Sequence, residues 1–491
     1  MALIALELPA GIYNHGTDLD SSNRWRDGNF IRWQNGSVRP IGGWTTRKAS
    51  ATASVPRGVI GWIDHSDASH IAVGTHNKLY ALNQGSVVSD ITPANLTTGS
   101  VSASINVGFG GGTYGIGVNG TARTSDRIPE HVTTWSLDNF GQYLIACSST
   151  DGKIVQWQLN QNVVAAIVTN APVNNKAILV TDERFIFALG SGGNPKKISW
   201  CDRENTTTWT SATTNQAGDI ELQTSGEIMC GIRVKGSALI LTTLDAHSAT
   251  YAGPPFIYSF NRVGTSCGIV SRQAAVAVDE GAYWMGSAGF FQFNGSAVQE
   301  MACEVSDYVF GNLNDSQRSK ICAIHNSEFG EIWWFYPSGS STENDRYVIY
   351  DYKEQHWNIG TLSRTTGIDS GSFTSPIWFD AGGNVYNHEL GFSHSSAPFL
   401  ESGPLLLSPN NMVVKVNEII PDEATQGQCS LTFKSRFYPQ GPETSHGPFA
   451  LTNPTGARFT GRQIRMVING SELNNWRTGK MRLNVVEGGR R

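Results

Sequence analysis

From residue 59 onward, apolar and polar positions alternate in short bursts. Each burst is an apolar strand, a polar turn, a second apolar strand, another turn and a strand closing on an aromatic residue. The unit reads "VIGWIDHSDASHIAVGTHNKLYAL" (59–82), "TTWSLDNFGQYLIACSSTDGKIVQWQL" (133–159) and "AILVTDERFIFALGSGGNPKKISW" (177–200). It continues at 230–253, 274–295, 320–357 and 375–390. Period-two alternation broken by "DNFG", "STDG" or "DAGG" predicts antiparallel strands joined by tight turns. After the first unit the spacing is roughly 40–55 residues, the length of a β-propeller blade. One such unit cannot bury both of its faces, whereas units stacked about an axis can. The pattern therefore predicts an all-β chain with a propeller of six or seven blades over residues 46–399. A strand from elsewhere in the chain would complete the last blade and close the ring.

Three segments break the pattern. Residues 83–131 lengthen the interval between the first two units and read as a Gly-rich insertion between blades. "EVSDYVFGNLNDSQRSK" (304–320) has Val305, Tyr308, Val309 and Leu313 near helical spacing and is the one helix expected. Residues 400–491 carry longer alternating stretches, such as "QCSLTFKSRFYPQG" and "ARFTGRQIRMVINGS", and read as a separate C-terminal β-sandwich. Residues 1–45, rich in Pro, Gly and Trp without repeat character, read as an N-terminal arm laid across a surface.

Composition agrees with a β-rich chain. Of 491 residues 53 are Gly, which supplies the positive φ angles of hairpin turns, while 14 Trp, 14 Tyr and 21 Phe favour strands. A net charge of −5 argues against gripping nucleic acid, which takes a basic face. The seven cysteines are scattered without CxxC spacing and read as reduced thiols filling strand interiors. "MALIALELPAG" lacks a basic start and is broken by Glu7, so no signal peptide is expected, and no run is apolar enough to span a bilayer.

Candidate chemistry is sparse. In "INVGFGGGTYGIGVNG" (105–120), Gly110, Gly112 and Gly115 satisfy GxGxxG, but no helix-forming stretch follows and no GK[ST] is present. Phe109, Gly110, Gly112, Tyr114 and Gly115 are better read as a pliable loop moulding onto a partner. His65, His70 and His76, and likewise His388 and His394, lack metal-ligand spacing and are expected in solvated loops. Neither a metal nor a cofactor is expected. One imperfect Asp box, "SSTDGKIVQW", keeps a glycosidase in view, yet Asp182, Glu183, Asp245, Asp279 and Glu280 all sit in turns, where acids are common anyway. In the amino-terminal arm, Arg24, Trp25, Arg26, Trp33 and Trp44 have the composition of an interface hot spot. They fit either a contact between subunits or an arm folded back on its own propeller.

At "RWRDGNFIRWQNGSVRPIGGW" (24–44) the chain resembles the nozzle, or tail-hub, family of short-tailed bacteriophages, some of whose members are called packaged-DNA stabilisation proteins. "GFGGGTYGIG", "EIWWFYP…RYVIYDYKEQHW" and "FTGRQIRMVING…WRTGKMRLNVVEGGRR" extend the resemblance in the same order to the far end. It implies a structural virion protein, assembled in the bacterial cytoplasm as a homohexameric ring below the portal and adaptor. Such a ring continues the DNA ejection channel, touches double-stranded DNA transiently and without sequence preference, and meets tail fibres, a needle or a plug. It also implies that the chain is not an enzyme, with no catalytic residue. The alternative from another class is a receptor-facing propeller that binds or cleaves host surface glycan.

Overall fold

The computed structural model describes residues 2–47, 52–82, 88–103, 131–279, 281–408, 412–422, 428–439, 441–452, 454–471 and 474–489. Seven four-stranded antiparallel sheets form its larger part. Their first strands are Pro56–Ile63, Trp135–Phe140, Ala177–Val180, Ile228–Val234, Ala275–Val278, Cys322–Asn326 and Thr366–Ile368. Each neighbours the next, and the seventh neighbours the first, so the sheets close into a seven-bladed propeller. Blades 1–6 each use four consecutive strands. Blade 7 takes its outermost strand, Trp44–Thr46, from the amino-terminal region, antiparallel to Val385–His388. A ring fastened this way cannot open at blade 7 without breaking main-chain bonds between distant parts of the chain.

The second strand of a blade is covered on both faces by neighbouring blades. That is why Glu331–Tyr336 (EIWWFY) is buried at all six positions and Ile186–Leu189 at all four. Between blades 2 and 3, for example, Phe140, Ile145, Cys147 and Ile154 meet Ile178, Val180, Ile186 and Ala188. All seven cysteines are free, and burial pushes the Cys147 and Cys322 thiols up to about 12.

The sandwich pairs two sheets. One orders Ala2–Leu6, Met481–Glu487, Val414–Ile420 and Thr455–Gly461; the other orders Trp25–Asn29, Phe399–Ser402, Gln463–Gly470, Cys429–Arg436 and Thr444–Ala450. Residues 1–45 are therefore no arm on a surface. They give each sheet an edge strand, then the hairpin Ile31–Gln34/Ser37–Pro40, then the strand that closes the propeller. Nor is the sandwich separate, because one continuous core runs from Ile419, Phe433 and Trp476 through Trp25 and Trp357 to Trp284, Phe290 and Trp334 of blades 5 and 6.

Two boundaries shift. The outer strand of blade 1, Val88–Asp90, lies inside the stretch expected as an insertion. The expected helix at 304–320 is split into Ser306–Phe310 and a 3₁₀ turn, Asp315–Lys320, because Gly311 ends the first and the Asn314 side chain caps the second through the Ser316 N–H at 3.1 Å. Among the described residues no helix is long and apolar enough to cross a membrane.

Candidate functional site: the amino-terminal clasp and the axial cavity

The singled-out residues of the amino-terminal segment turn inward. Arg24 donates through Nη2 to Glu304 at 2.7 Å and lies over the Tyr13 ring at 5.0 Å. Arg26 pairs with Asp18 at 3.2 Å. Trp25 and Trp33 are 5% and 4% exposed, the latter edge-on to His356 at 5.3 Å. Half-buried Trp44 stacks on His388 at 5.4 Å and meets Phe30 edge-on at 5.5 Å. Buried Trp25 and Trp33 offer no face to a second subunit. As the large apolar groups of a polar segment, they are what anchors it, so of the two readings the fold-back onto the chain's own body is the one seen. Phe109, Gly110, Gly112, Tyr114 and Gly115 lie outside the described residues.

One main-chain bond and two between side chain and main chain complete the clasp along the outer strand of blade 6, His356–Thr361. The Ile12 N–H donates to the Trp357 carbonyl at 2.8 Å, Asn358 Nδ2 donates to the Ile31 carbonyl at 2.8 Å, and the Thr361 N–H donates to Asn29 Oδ1 at 2.9 Å. Gly360 must lack a side chain here, because a Cβ would collide with the Tyr347 hydroxyl and Asn29. Arg32 is the centre of the clasp. Its Nε and Nη2 donate to both oxygens of Glu331 at 2.8 and 2.7 Å, its Nη1 and Nη2 to both oxygens of Glu389 at 2.9 and 2.7 Å, and Phe329 covers its face at 3.5 Å. Burial opposes the charge on Arg32, but the two carboxylates outweigh it and hold the guanidinium protonated. Such doubly bidentate pairing uses the geometry that makes Arg the choice for buried ion pairs. Glu331 and Glu389 give no signal in the sequence because they lie 299 and 357 positions from Arg32 and share no local pattern with it. Between clasp and sandwich lies a cavity of about 330 Å³ lined by Trp25, Trp33, Leu8, Met466, Ile468 and Met481 among others.

A second cavity, of about 200 Å³, lies where the seven inner strands converge, lined by residues such as Val59, Trp135, Ala177, Gly231, Ala323 and Gly367. Arg272 and Lys176 stand in its wall, and among the described residues no Asp or Glu does. The described acids considered as catalytic sit in the turns of three different blades. Asp182 and Glu183 sit in the turn after the first strand of blade 3, where Glu183 accepts from the Tyr258 hydroxyl at 3.0 Å. Asp245 is in the turn after the second strand of blade 4, at the opposite end of the propeller, and accepts from Thr242 and Thr224 at 2.6 and 2.8 Å. Asp279 occupies the first turn of blade 5 with φ of 34°, and Glu280 is outside the described residues.

Tyr350 and Trp357 face each other across strands at 4.8 Å, Trp357 reaches Phe290 of blade 5 at 4.7 Å, and Asp351 accepts the Lys353 and Glu354 N–H groups, both at 2.8 Å.

No family model and no curated protein matches the chain. Among solved structures, the chain is similar to virginiamycin B lyase from Staphylococcus aureus, with 7% identity over 70% of this chain and 99% of that one and a TM-score of 0.44. It is similar also to YCF48 from Cyanidioschyzon merolae, with 8% identity over 71% and 98% of the two chains and a TM-score of 0.39. The WD40 propeller domain of Doa1 gives 10% identity over 70% and 97%, again with a TM-score of 0.39. At these identities the likeness is one of β-propeller fold alone, shared by a lyase and by proteins of other kinds.

Proposed function

We propose that this chain is a structural subunit of a short-tailed bacteriophage tail, the nozzle or hub that continues the DNA ejection channel below portal and adaptor. One observation carries the reading. The segment at which the resemblance becomes specific, residues 24–44, is also the segment that joins sandwich to blade 6 and supplies the first residue of the propeller's closing strand. A motif whose residues fasten two halves of a body fits a protein whose task is to hold shape while a genome passes. In this reading copies meet head-to-tail, and the interface closes a ring because its rotation returns on itself. The buried Trp25 and Trp33 leave that contact to groups that are exposed: Val163, Val164 and Ile167 at the rim of blade 2, Phe256 at the tip of the blade 4 hairpin, and Tyr438 on the sandwich. The competing glycan-cleaving reading needs two carboxylates facing each other across a sugar. Asp182 with Glu183 and Asp245, at opposite ends of the propeller, give it no such pair.

The test is native mass spectrometry of the purified chain, alone and with a portal–adaptor complex of a short-tailed phage. A six-fold ring, formed by itself or on the adaptor, is the expected result. A chain that ignores the adaptor and releases sugar from bacterial surface polysaccharide would overturn the reading.

A further inference from the structure

The axial cavity opens at the end where the inner strands begin, and the residues just before those strands form its mouth. From blades 2 to 6 these include His131, Lys176, Glu227, Arg272 and Arg318. Among the described residues Lys176, Arg272 and Arg318 thus stand near the one carboxylate of this group, Glu227, while Lys320, just before blade 6, is paired with Glu343 at 2.7 Å. Arg272 lines the cavity and spends Nη1 on the carbonyls of Ile228 and Met229, at 3.3 and 2.7 Å. Among the described residues no ion pair joins it to an acid, and its Nε–Nη2 edge has no hydrogen-bond partner there. Lys176, exposed at the same mouth, lays its stem against Gly190 and donates its main-chain N–H to the Leu189 carbonyl at 2.8 Å, while its ammonium has no hydrogen bond or ion pair among the described residues. We infer that the mouth of the axial cavity is a binding site for a small oxyanion of the phosphate class, gripped by the free edge of Arg272 and by the Lys176 ammonium.

The chemistry favours that occupant. An arginine fork with two parallel donors matches the oxygen spacing of phosphate, and a lysine adds a mobile point charge. Cations left unneutralised beside low-dielectric walls are costly unless a counter-ion joins them. The field at the mouth agrees: burial and then Arg272 depress the basicity of both Lys176 and His131. Arg318 adds to the effect on His131, and Glu227 opposes it at both groups. On the blade 6 side, one described end of the segment between blades 1 and 2 is fastened to the turn that precedes the blade 6 inner strand. Gln317 exchanges hydrogen bonds with the Ala103 main chain at 3.2 and 3.0 Å, and Lys320 donates to Ser102 at 3.0 Å. With about 200 Å³ within, the opening suits a small anion. The inference stands on the cavity alone, whatever the chain assembles into.

Thermal shift and calorimetric titration of the full chain with inorganic phosphate, against sodium chloride at matched ionic strength, test it. Expected is a saturable rise in melting temperature beyond the chloride control. Binding should weaken at least about tenfold in Lys176→Gln and in Arg272→Gln, as for loss of one charge-assisted hydrogen bond. Lys176→Gln breaks no hydrogen bond seen in the fold, so it keeps the test decisive even if Arg272→Gln, which loses its bonds to blade 4, unfolds. Parallel titrations with methyl phosphate and dimethyl phosphate separate a free or terminal phosphate from a backbone diester. No saturable effect of phosphate, or equal binding by wild type and Lys176→Gln, overturns the proposal.

Discussion

At the scale of single residues, the strongest commitments are the buried ionisable groups that seal the clasp and blade 7. Arg32 is the one cation ion-paired with Glu331 and Glu389 among the described residues, and removing it leaves both carboxylates without an ion-pair partner there. Arg32→Ala should destabilise the chain by about 3–5 kcal/mol in urea unfolding. A loss under about 1 kcal/mol, the range of an exposed pair, would show the cluster to be ornamental. His388 makes a pH-dependent counterpart. Expected in a solvated loop, it is 2% exposed, stacked on Trp378 at 3.9 Å, and accepts from Arg364 Nε at 3.0 Å. Burial, and then the Arg364 charge, hold it neutral to well below 6.5. The unfolded imidazole takes up a proton near 6.5 and the folded one does not. The stability it contributes is therefore complete above pH 6.5 and is lost as pH falls toward the depressed folded value. Between pH 6.5 and 5.5 urea-unfolding stability should fall with a slope that His388→Gln reduces by up to about 1.4 kcal/mol per pH unit. An unchanged slope would mean that His388 is protonated in the fold.

At the scale of elements, the closing strand is the vulnerable part. Arg47 donates its N–H to the Val385 carbonyl at 2.8 Å, so Thr45, two residues earlier and opposite Asn387, holds the equivalent donor position of the antiparallel ladder. Thr45→Pro should cost on the order of 2–3 kcal/mol by removing that donor and admitting a ring that cannot pair. Limited proteolysis near residues 41–47 should accelerate; unchanged cleavage would mean that the strand is not what fastens blade 7. The blades themselves are legible in the sequence. Each of the seven repeated units falls on a blade, because tight turns and strand alternation are local signals. What escapes is pairing at long range. Ala2–Leu6 and Trp25–Asn29 (WRDGN) are edge strands with little alternation, and only their partners near residues 481 and 399 make them strands at all. The clasp residues Trp25 and Trp33 are legible as important and illegible as buried. Composition marks a hot spot but does not say which side of the surface it faces, and the cationic mouth of the axis carries no motif because its members come from separate blades.

At the scale of the whole molecule, the shared core makes a mechanical claim. Sandwich and propeller meet through apolar contact along blade 6, with Trp25 and Trp357 in the same cluster as Trp476 on one side and Trp334 on the other. Trp357 also donates to the Ala302 carbonyl at 2.9 Å, tying the outer strand of blade 6 to the end of blade 5. Two bodies joined by a polar linker would melt independently; two bodies that bury one another's tryptophans should melt together. Calorimetry should therefore give one transition for the intact chain, with signals from both parts lost at the same temperature. Trp357→Ala, which empties a large volume at the junction, should lower stability by about 3–5 kcal/mol and separate the sandwich from the propeller as an earlier-melting unit. Two transitions in the wild-type chain would refute the shared core and return the sandwich to the status of an appended domain. A single transition in the variant would move the coupling from Trp357 to the Arg32 cluster and the hydrogen bonds beside it.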